Sequence, residues 1–507
     1  MEIKKKSNIY QIFSKGIIYT ILSKLVTIPL GIIIARLIGS EGYSIYAIAI
    51  LIAQYLSYGN LGIFSGLTRE VPISKGNTVR RQRKAIYNAV FSFLLISSLV
   101  TSLIFLLLVS GSFLPFDSMD IYIAIFVILI LLTGNIEGFL YNSLKGENRL
   151  SDWTFFVSIR PVIESIMSLI LVCFFNLYGL IISVVLARII SSFILFISYR
   201  GTAIRFTLSK DIFKLIGTGL PIMISNFLKT TLTKAPILFS AGLLGPKELG
   251  AFAYAINNLG LSEKLPTGSL FALANRNEIA RKLYSEENKN NLITHTLKND
   301  TFYSHIIFSG IYGGLLALFY YVVIDLFLSD YSSGISSLIF IASFYFIQAI
   351  FNYLVQTLDI LRYLMAKLLI FVSGIIIFLA LIFSNYLNIG IYEIASIYLF
   401  AGLVASNSLF FIITSKSKSF FVFLSCIKLN LIFVLYFISL HLAQIFYPYI
   451  SDLFNFESYV GTVISLGSSA FLFVIIFLIG SFIIYPDFMI KIMRKFNNSF
   501  KGNESSR

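Results

Sequence analysis

The chain has 507 residues, of which 57% are hydrophobic and 12% charged, with a mean hydropathy of +0.86 and a formal net charge of +15. Soluble domains carry roughly twice that density of charge, so a string of water-soluble domains is excluded. Stretches such as Val90 to Val109 and Ile121 to Leu132 are apolar on every face rather than in alternation, which excludes a β-barrel and points to membrane-spanning helices.

Taken in order, the apolar runs predict an all-α polytopic membrane protein with about 14 transmembrane helices. They are expected at 12–38, 43–64, 85–109, 121–144, 153–175, 178–199, 213–244, 249–274, 301–327, 335–359, 366–386, 393–414, 421–446 and 460–485. The run after Lys4, Lys5 and Lys6 continues to Leu37 without a small-residue cleavage site, so it reads as a retained helix rather than a removable signal peptide. With a cytoplasmic N-terminus, the basic residues between spans collect on one side, and the connections on the other side hold only Lys247. The positive-inside rule then puts both termini in the cytoplasm and makes the surplus charge topological, with no nucleic-acid partner implied. Cys173 and Cys426 both fall within apolar runs, where they read as small hydrophobes. No G-x-x-x-x-G-K-[ST] motif occurs and no connection is long enough to fold as a domain, so ATP hydrolysis is not expected.

A repeat organises these segments. The first ends Ala35-Arg36-Leu37-Ile38-Gly39 and continues Ser40-Glu41-Gly42-Tyr43-Ser44-Ile45-Tyr46-Ala47; the seventh ends Ala241-Gly242-Leu243-Leu244-Gly245 and continues to Gly250-Ala251-Phe252-Ala253-Tyr254-Ala255. The copies match at an offset of 206 before the turn and 208 after it. Both turns fall on the outside. That predicts two six-helix repeats, segments 1–6 and 7–12, related by an axis along the membrane normal. The expected divisions are 1–200, 201–414, two additional helices in 415–485, and a basic cytoplasmic tail in 486–507.

At Ala35 to Gly39 with Gly42 and Tyr43, and in its twelve-plus-two helix pattern, the chain resembles the Wzx-type O-antigen and polysaccharide flippases of the multidrug/oligosaccharidyl-lipid/polysaccharide (MOP) exporter superfamily. The resemblance implies two bundles around a central cavity and alternating access. It implies movement of an undecaprenyl-diphosphate-linked O-antigen or capsule repeat unit from the inner to the outer leaflet of the bacterial cytoplasmic membrane. Polysaccharide polymerase and chain-length machinery are the partners it suggests, and an H+ or Na+ gradient the candidate driving force, with no bound cofactor.

Ionisable groups at mid-membrane depth cost a few kcal/mol on insertion scales and are functional candidates by default. The basic ones, Lys24, Arg160, Arg188, Lys229, Lys234, Lys264 and Lys428, outnumber the acids Glu137, Glu164 and Glu263, which suits an anionic passenger. Lys24 and Lys229 occupy nearly equivalent places in segments 1 and 7 and form the expected core of a cationic cavity, with Lys234, Lys264, Arg188 and Arg36 along the path. Arg160 and Glu164 are an i,i+4 pair expected to neutralise each other, Lys428 is expected to snorkel, and Glu263 is the candidate for a coupling proton. Pro29, Gly217, Gly219, Pro221 and Pro236 are candidate hinges. Glu137 with Asn135 and Asn142, and the stripe Gln348, Asn352, Gln356 and Asp359, could face glycan hydroxyls or make helix contacts. No metal site is readable from His295, His305 and His441.

Three other readings compete: a peptidoglycan-precursor (lipid II) flippase of the same fold, an integral-membrane glycosyltransferase or polymerase, and a multidrug cation antiporter. An antiporter would want acids in segments 1, 2 and 7, which have none, and a transferase would want catalytic groups in longer outside loops. A non-enzymatic flippase is therefore the expectation.

Overall fold

The computed structural model describes residues 2–70, 78–110, 121–147, 149–198, 206, 207, 209, 211–260, 297, 300–360, 364–384, 389–417, 419–453 and 459–490. They contain helices and turns and no strand. The protein is a helical membrane protein, and among the described residues 11 helical elements are long and apolar enough to cross a bilayer. Two of these, Ile18–Asn60 and Ser151–Ile197, are 43 and 47 residues long. At 1.5 Å per residue each is about twice the length that a single ~30 Å crossing needs.

Both double-length elements break at one residue. Helix α1 (Glu2–Leu56) is interrupted at Gly39 (φ 67°, ψ 173°), a conformation that a glycine adopts without a Cβ clash. Helix α5 (Leu150–Ser198) breaks at Asn176 (φ 47°, ψ −128°). Ser168 and Ser183 lie either side of that break with their hydroxyls 2.5 Å apart, although fifteen residues of straight helix would separate them by about 22 Å. The two limbs of α5 are therefore a hairpin. Segments 1 and 2, and 5 and 6, correspond to the limbs of these two elements. Segment 8 is described only as far as α7 (Pro246–Leu259) and Gly260; its remainder is outside the described residues.

The chain divides into two compact units, Met1–Tyr254 and Ala255–Arg507. In the first, α2 (Ile63–Glu70), α3 (Thr78–Ser110), α4 (Ile121–Gly146) and α6 (Asp211–Ser240) join α1 and α5. One apolar cluster, including Leu67, Val90, Leu140, Phe156 and Leu215, ties α2 to α3, α4, α5 and α6. A second, including Ala53, Phe105, Val127 and Val184, packs α1, α3, α4 and α5. The first helix of the expected second repeat, α6, thus packs within this unit.

The second unit holds α8 (Asp300–Phe327), α9 (Leu338–Ile360), α10 (Leu364–Ser384), α11 (Ile391–Ser417), α12 (Phe420–Leu453) and α13 (Tyr459–Ile484). Helix α9 is its axis. Phe344 stacks on Tyr398 of α11 at 3.6 Å, Phe346 on Tyr436 of α12 at 4.3 Å, and His305 of α8 lies 3.1 Å from the Ala349 carbonyl. Aromatics on α13 fill hollows left by glycines on α8: a Cβ at Gly310 or Gly314 would overlap the rings of Phe477 and Phe473. Gly314→Leu is expected to destabilise the protein by at least ~1–3 kcal/mol through overpacking. Thermal unfolding in detergent would show it as a lowered midpoint, partly restored by adding Phe473→Ala.

Candidate functional site

The hairpin in α5 gathers a charged cluster inside the first unit. Its first limb supplies Arg160 and Glu164, its second supplies Arg188 and Ser191, and α4 supplies Glu137. Ser191 Oγ donates to Glu137 Oε1 at 2.6 Å, Arg160 Nε is 3.4 Å from the same oxygen, and Arg160 Nη2 donates to Glu164 Oε2 at 2.9 Å. Glu137 is almost fully buried. Arg160 therefore lies between two carboxylates and is neutralised by both, as the i,i+4 spacing predicted for Glu164 and as no local pattern predicted for Glu137.

Arg188 is placed differently. Its Nη1 donates to the backbone carbonyl of Ile130 on α4, against the bare Cα of Gly134, where a Cβ would collide with the guanidinium. Its Nε is buried without an acceptor, and no carboxylate among the described residues pairs with it within 4.0 Å. It is a positioned cation whose charge is not cancelled by a direct ion pair. A side chain of this kind can hold a phosphate or carboxylate in bidentate fashion.

The lysines expected at the core lie on α1 and α6. Lys24, on the first limb of α1, and Lys229 and Lys234, on α6, are half-buried, whereas Arg36 is exposed close to the Gly39 break. Lys264 and Glu263 fall outside the described residues. Lys428 stands over the ring of Tyr485, 5.6 Å from its centre. Of the other polar groups, Asn135 Nδ2 donates to Ser98 Oγ on α3 at 2.7 Å, and Asn142 Nδ2 to the Gly138 carbonyl of its own helix at 2.7 Å. Gln348 is fully buried with neither amide atom hydrogen-bonded, while the side chains of Gln356 and Asp359 are outside the described set.

Both ends of this unit are closed by glycines. At the repeat turns, Gly250 of α7 packs on the Ser40 carbonyl, so tightly that a Cβ would overlap it. Tyr43 meets Tyr254 edge to face at 5.4 Å, and Lys247 Nζ is 4.0 Å from Glu41 Oε1. The two-residue difference in offset has a structural counterpart. The first copy resumes its helix after Gly39, whereas the second passes through a turn at Ala241–Leu244, closed by Leu244 N–H to Ser240 O at 2.8 Å.

At the opposite end, the 3-10 turn Ser57–Asn60 leads into Leu61 (φ 51°) and Gly62 (φ 77°), fixed by Gly62 N–H donating to the buried Asn60 Oδ1 at 2.9 Å. A Cβ at Gly62 would stand 2.5 Å from the Gly219 carbonyl oxygen, and one at Gly219 would overlap the Gly62 carbonyl. Beside it, Tyr58 Oη donates to the Asn226 carbonyl at 3.1 Å and lies 2.6 Å from Thr230 Oγ1. This break was missed in the sequence, although Tyr58-Gly59-Asn60-Leu61-Gly62 carries the turn chemistry that marks it. Of the expected hinges, Pro221 and Pro236 lie inside a helix that runs without a break from Asp211 to Ser240. Pro29 is exposed within α1, Gly217 has open space around it, and Gly219 is the one set against another backbone.

Residues 13–264 match the polysaccharide biosynthesis protein family. Among solved structures, the chain is similar to the lipid II flippase MurJ in an inward closed conformation, with a TM-score of 0.61 at 15% identity over 94% of this chain and 99% of that one. An inward-facing multidrug resistance MATE transporter of the MOP superfamily gives 0.57 at 16% identity over 78% and 94%. A MOP superfamily transporter from Pyrococcus furiosus gives 0.55 at 15% over 80% and 95%. The fold is shared with these flippase and transporter structures, and residues 13–264 match the polysaccharide biosynthesis family in sequence. No curated protein matches the chain in sequence. The family match covers the whole of the charged cluster and both glycine closures.

Proposed function

We propose that the protein is a flippase that carries a lipid-linked, anionic oligosaccharide across the bacterial cytoplasmic membrane by alternating access. The single observation behind this reading is Arg188, a guanidinium held at membrane depth by a backbone carbonyl and without an ion-paired carboxylate, in a polysaccharide-family chain with a MOP fold. The two acids beside it are engaged by Arg160, so the cluster offers a cation rather than a carboxylate to a passenger. That favours a diphosphate-linked glycan over the cationic substrate of a multidrug antiporter.

In this reading fourteen spans with both termini inside form the repeats 1–200 and 201–414, followed by the helices of 415–485 and the tail 486–507. Lys24, Lys229, Lys234, Lys264 and Arg36 extend the cationic path, and an O-antigen or capsule repeat on undecaprenyl diphosphate is the cargo. An ion gradient or consumption of the glycan outside supplies direction, with Glu263 as the proton site, and a polymerase receives the product. The Lys24→Ala, Lys229→Ala double variant tests the path. Each lost charge-assisted contact weakens binding about tenfold to a hundredfold. Surface-glycan export should therefore fall strongly at normal expression, and undiminished export would remove both lysines from the site.

A further inference from the structure

We infer that the second unit carries a self-association surface, at which a second copy of this chain docks in the membrane. The surface is a groove of about 960 Å³ running over α11, with α10 and α12 as its banks and Ser343 and Ile347 of α9 at its floor. Its walls are apolar. Two asparagines also line it: Asn430 Nδ2 donates to Asn407 Oδ1 at 2.9 Å and to the Cys426 carbonyl at 3.1 Å, and Asn407 Nδ2 donates to the Leu403 carbonyl at 2.9 Å.

This accounting leaves Asn430 Oδ1 without a donor and one Asn407 N–H without an acceptor. Asn407 is exposed, Asn430 half-exposed, and Ser408 next to them receives the Ser373 hydroxyl at 3.3 Å. Asn407 is ten residues from the end of α11 and Asn430 ten from the start of α12, so each lies ~15 Å along its helix, near the middle of a ~30 Å hydrocarbon core. No water is available there, and a hydrocarbon chain in the groove would leave both groups unsatisfied.

One donor and one acceptor side by side make an edge complementary to itself under a two-fold rotation. The convex element such a partner needs is also present. At the groove's α12 bank, where Val434 itself lines the groove, Ile427, Leu431, Val434 and Ile438 are all exposed at four-, three- and four-residue spacing. A two-fold axis along the membrane normal would set each copy's α12 into the other's groove and pair the two amide edges across the axis.

The test uses the full chain in liposomes, with subunits counted by single-molecule photobleaching as protein is diluted into lipid. Dimers are expected, and Asn430→Leu or Asn407→Leu should lower the association constant about tenfold by removing the paired amide bonds. Val434→Cys, in a Cys173→Ser, Cys426→Ala background, should form a covalent dimer on oxidation in native membranes, while Phe471→Cys on the exposed face of α13 should not. Val434→Trp, which fills the groove and crowds the ridge, should also give monomers. Monomers at every density, dimers indifferent to all three substitutions, or a lipid retained by monomers in native mass spectrometry and released by Val404→Trp would each overturn the inference.

Discussion

Replacing Arg160 by alanine should remove most of the folded protein, whereas replacing Arg188 by alanine should leave it folded and abolish export. Arg160 is 26% exposed and holds Glu137, 5% exposed, and Glu164, 24% exposed. Without it the two carboxylates remain in the helix bundle with no direct ion pair, only the Ser191 hydroxyl on Glu137 and the nearby charge of Arg188 offsetting them. Removing one partner of a buried ion pair costs about 3–5 kcal/mol, a large part of the ~5–15 kcal/mol total of an ordinary domain. Neutralising the acids along with the base, as Arg160→Met, Glu137→Gln, Glu164→Gln, should restore expression. Arg188 makes one backbone hydrogen bond and no ion pair, so its loss costs the fold about 1 kcal/mol, while a phosphate-like ligand loses a charge-assisted contact. Arg188→Lys should recover part of the activity, keeping charge but not the planar fork. Wild-type export by Arg188→Ala at normal abundance, or normal abundance of Arg160→Ala, would contradict the division of labour between the two arginines.

Gly219→Leu should stop transport by preventing α2 and α6 from meeting. Their backbones touch at Gly62 and Gly219, with Gly66 equally close to the Leu215 carbonyl, and no rotamer can place a leucine in a space already filled by a carbonyl. Unlike a core residue, Gly219 can be relieved by separating the helices. The variant should therefore fold and remain open at this end. A cysteine at Thr230, whose hydroxyl pairs with Tyr58 when the end is closed, reports the change. Its modification rate by a water-soluble maleimide, applied to inside-out vesicles, should rise at least about tenfold in Gly219→Leu, while glycan export falls below detection. Unchanged labelling with unchanged export would show that this contact does not close during the cycle.

Helices and their hairpins were legible because lipid imposes one solution on the backbone, and runs such as Val90 to Val109 state it directly. The Arg160–Glu164 pair was legible because it lies within one helical turn. Glu137 as a second partner of Arg160, and the carbonyl that anchors Arg188, depend on how α4 meets the two limbs of α5, and tertiary contact leaves no periodic trace. The break at Leu61–Gly62 was passed over because hydropathy stays high across it; the cue is turn chemistry instead. Prolines 221 and 236 drew attention as possible hinges, and both lie inside α6, which continues through them. Proline removes one hydrogen bond, and neighbouring groups can make that good within a membrane helix. The Asn407–Asn430 pair joins residues 23 apart on different helices and was invisible for the same tertiary reason as Glu137.

The way charges are distributed along α5 also bears on how the chain enters the bilayer. A nascent span bearing arginine faces a cost of about 2.5–3.5 kcal/mol at its centre. Arg160 emerges with Glu164 one turn behind it, and the pair can insert as a neutral unit. Arg188 has no acid on its own limb, and its anchoring carbonyl, like Glu137, sits on α4, which is synthesised earlier. The single-residue break at Asn176 delivers the second limb directly against the first. Arg188 thus reaches a polar pocket that upstream helices have already built, and the order of synthesis from N- to C-terminus becomes part of what makes an unpaired guanidinium tolerable in this membrane.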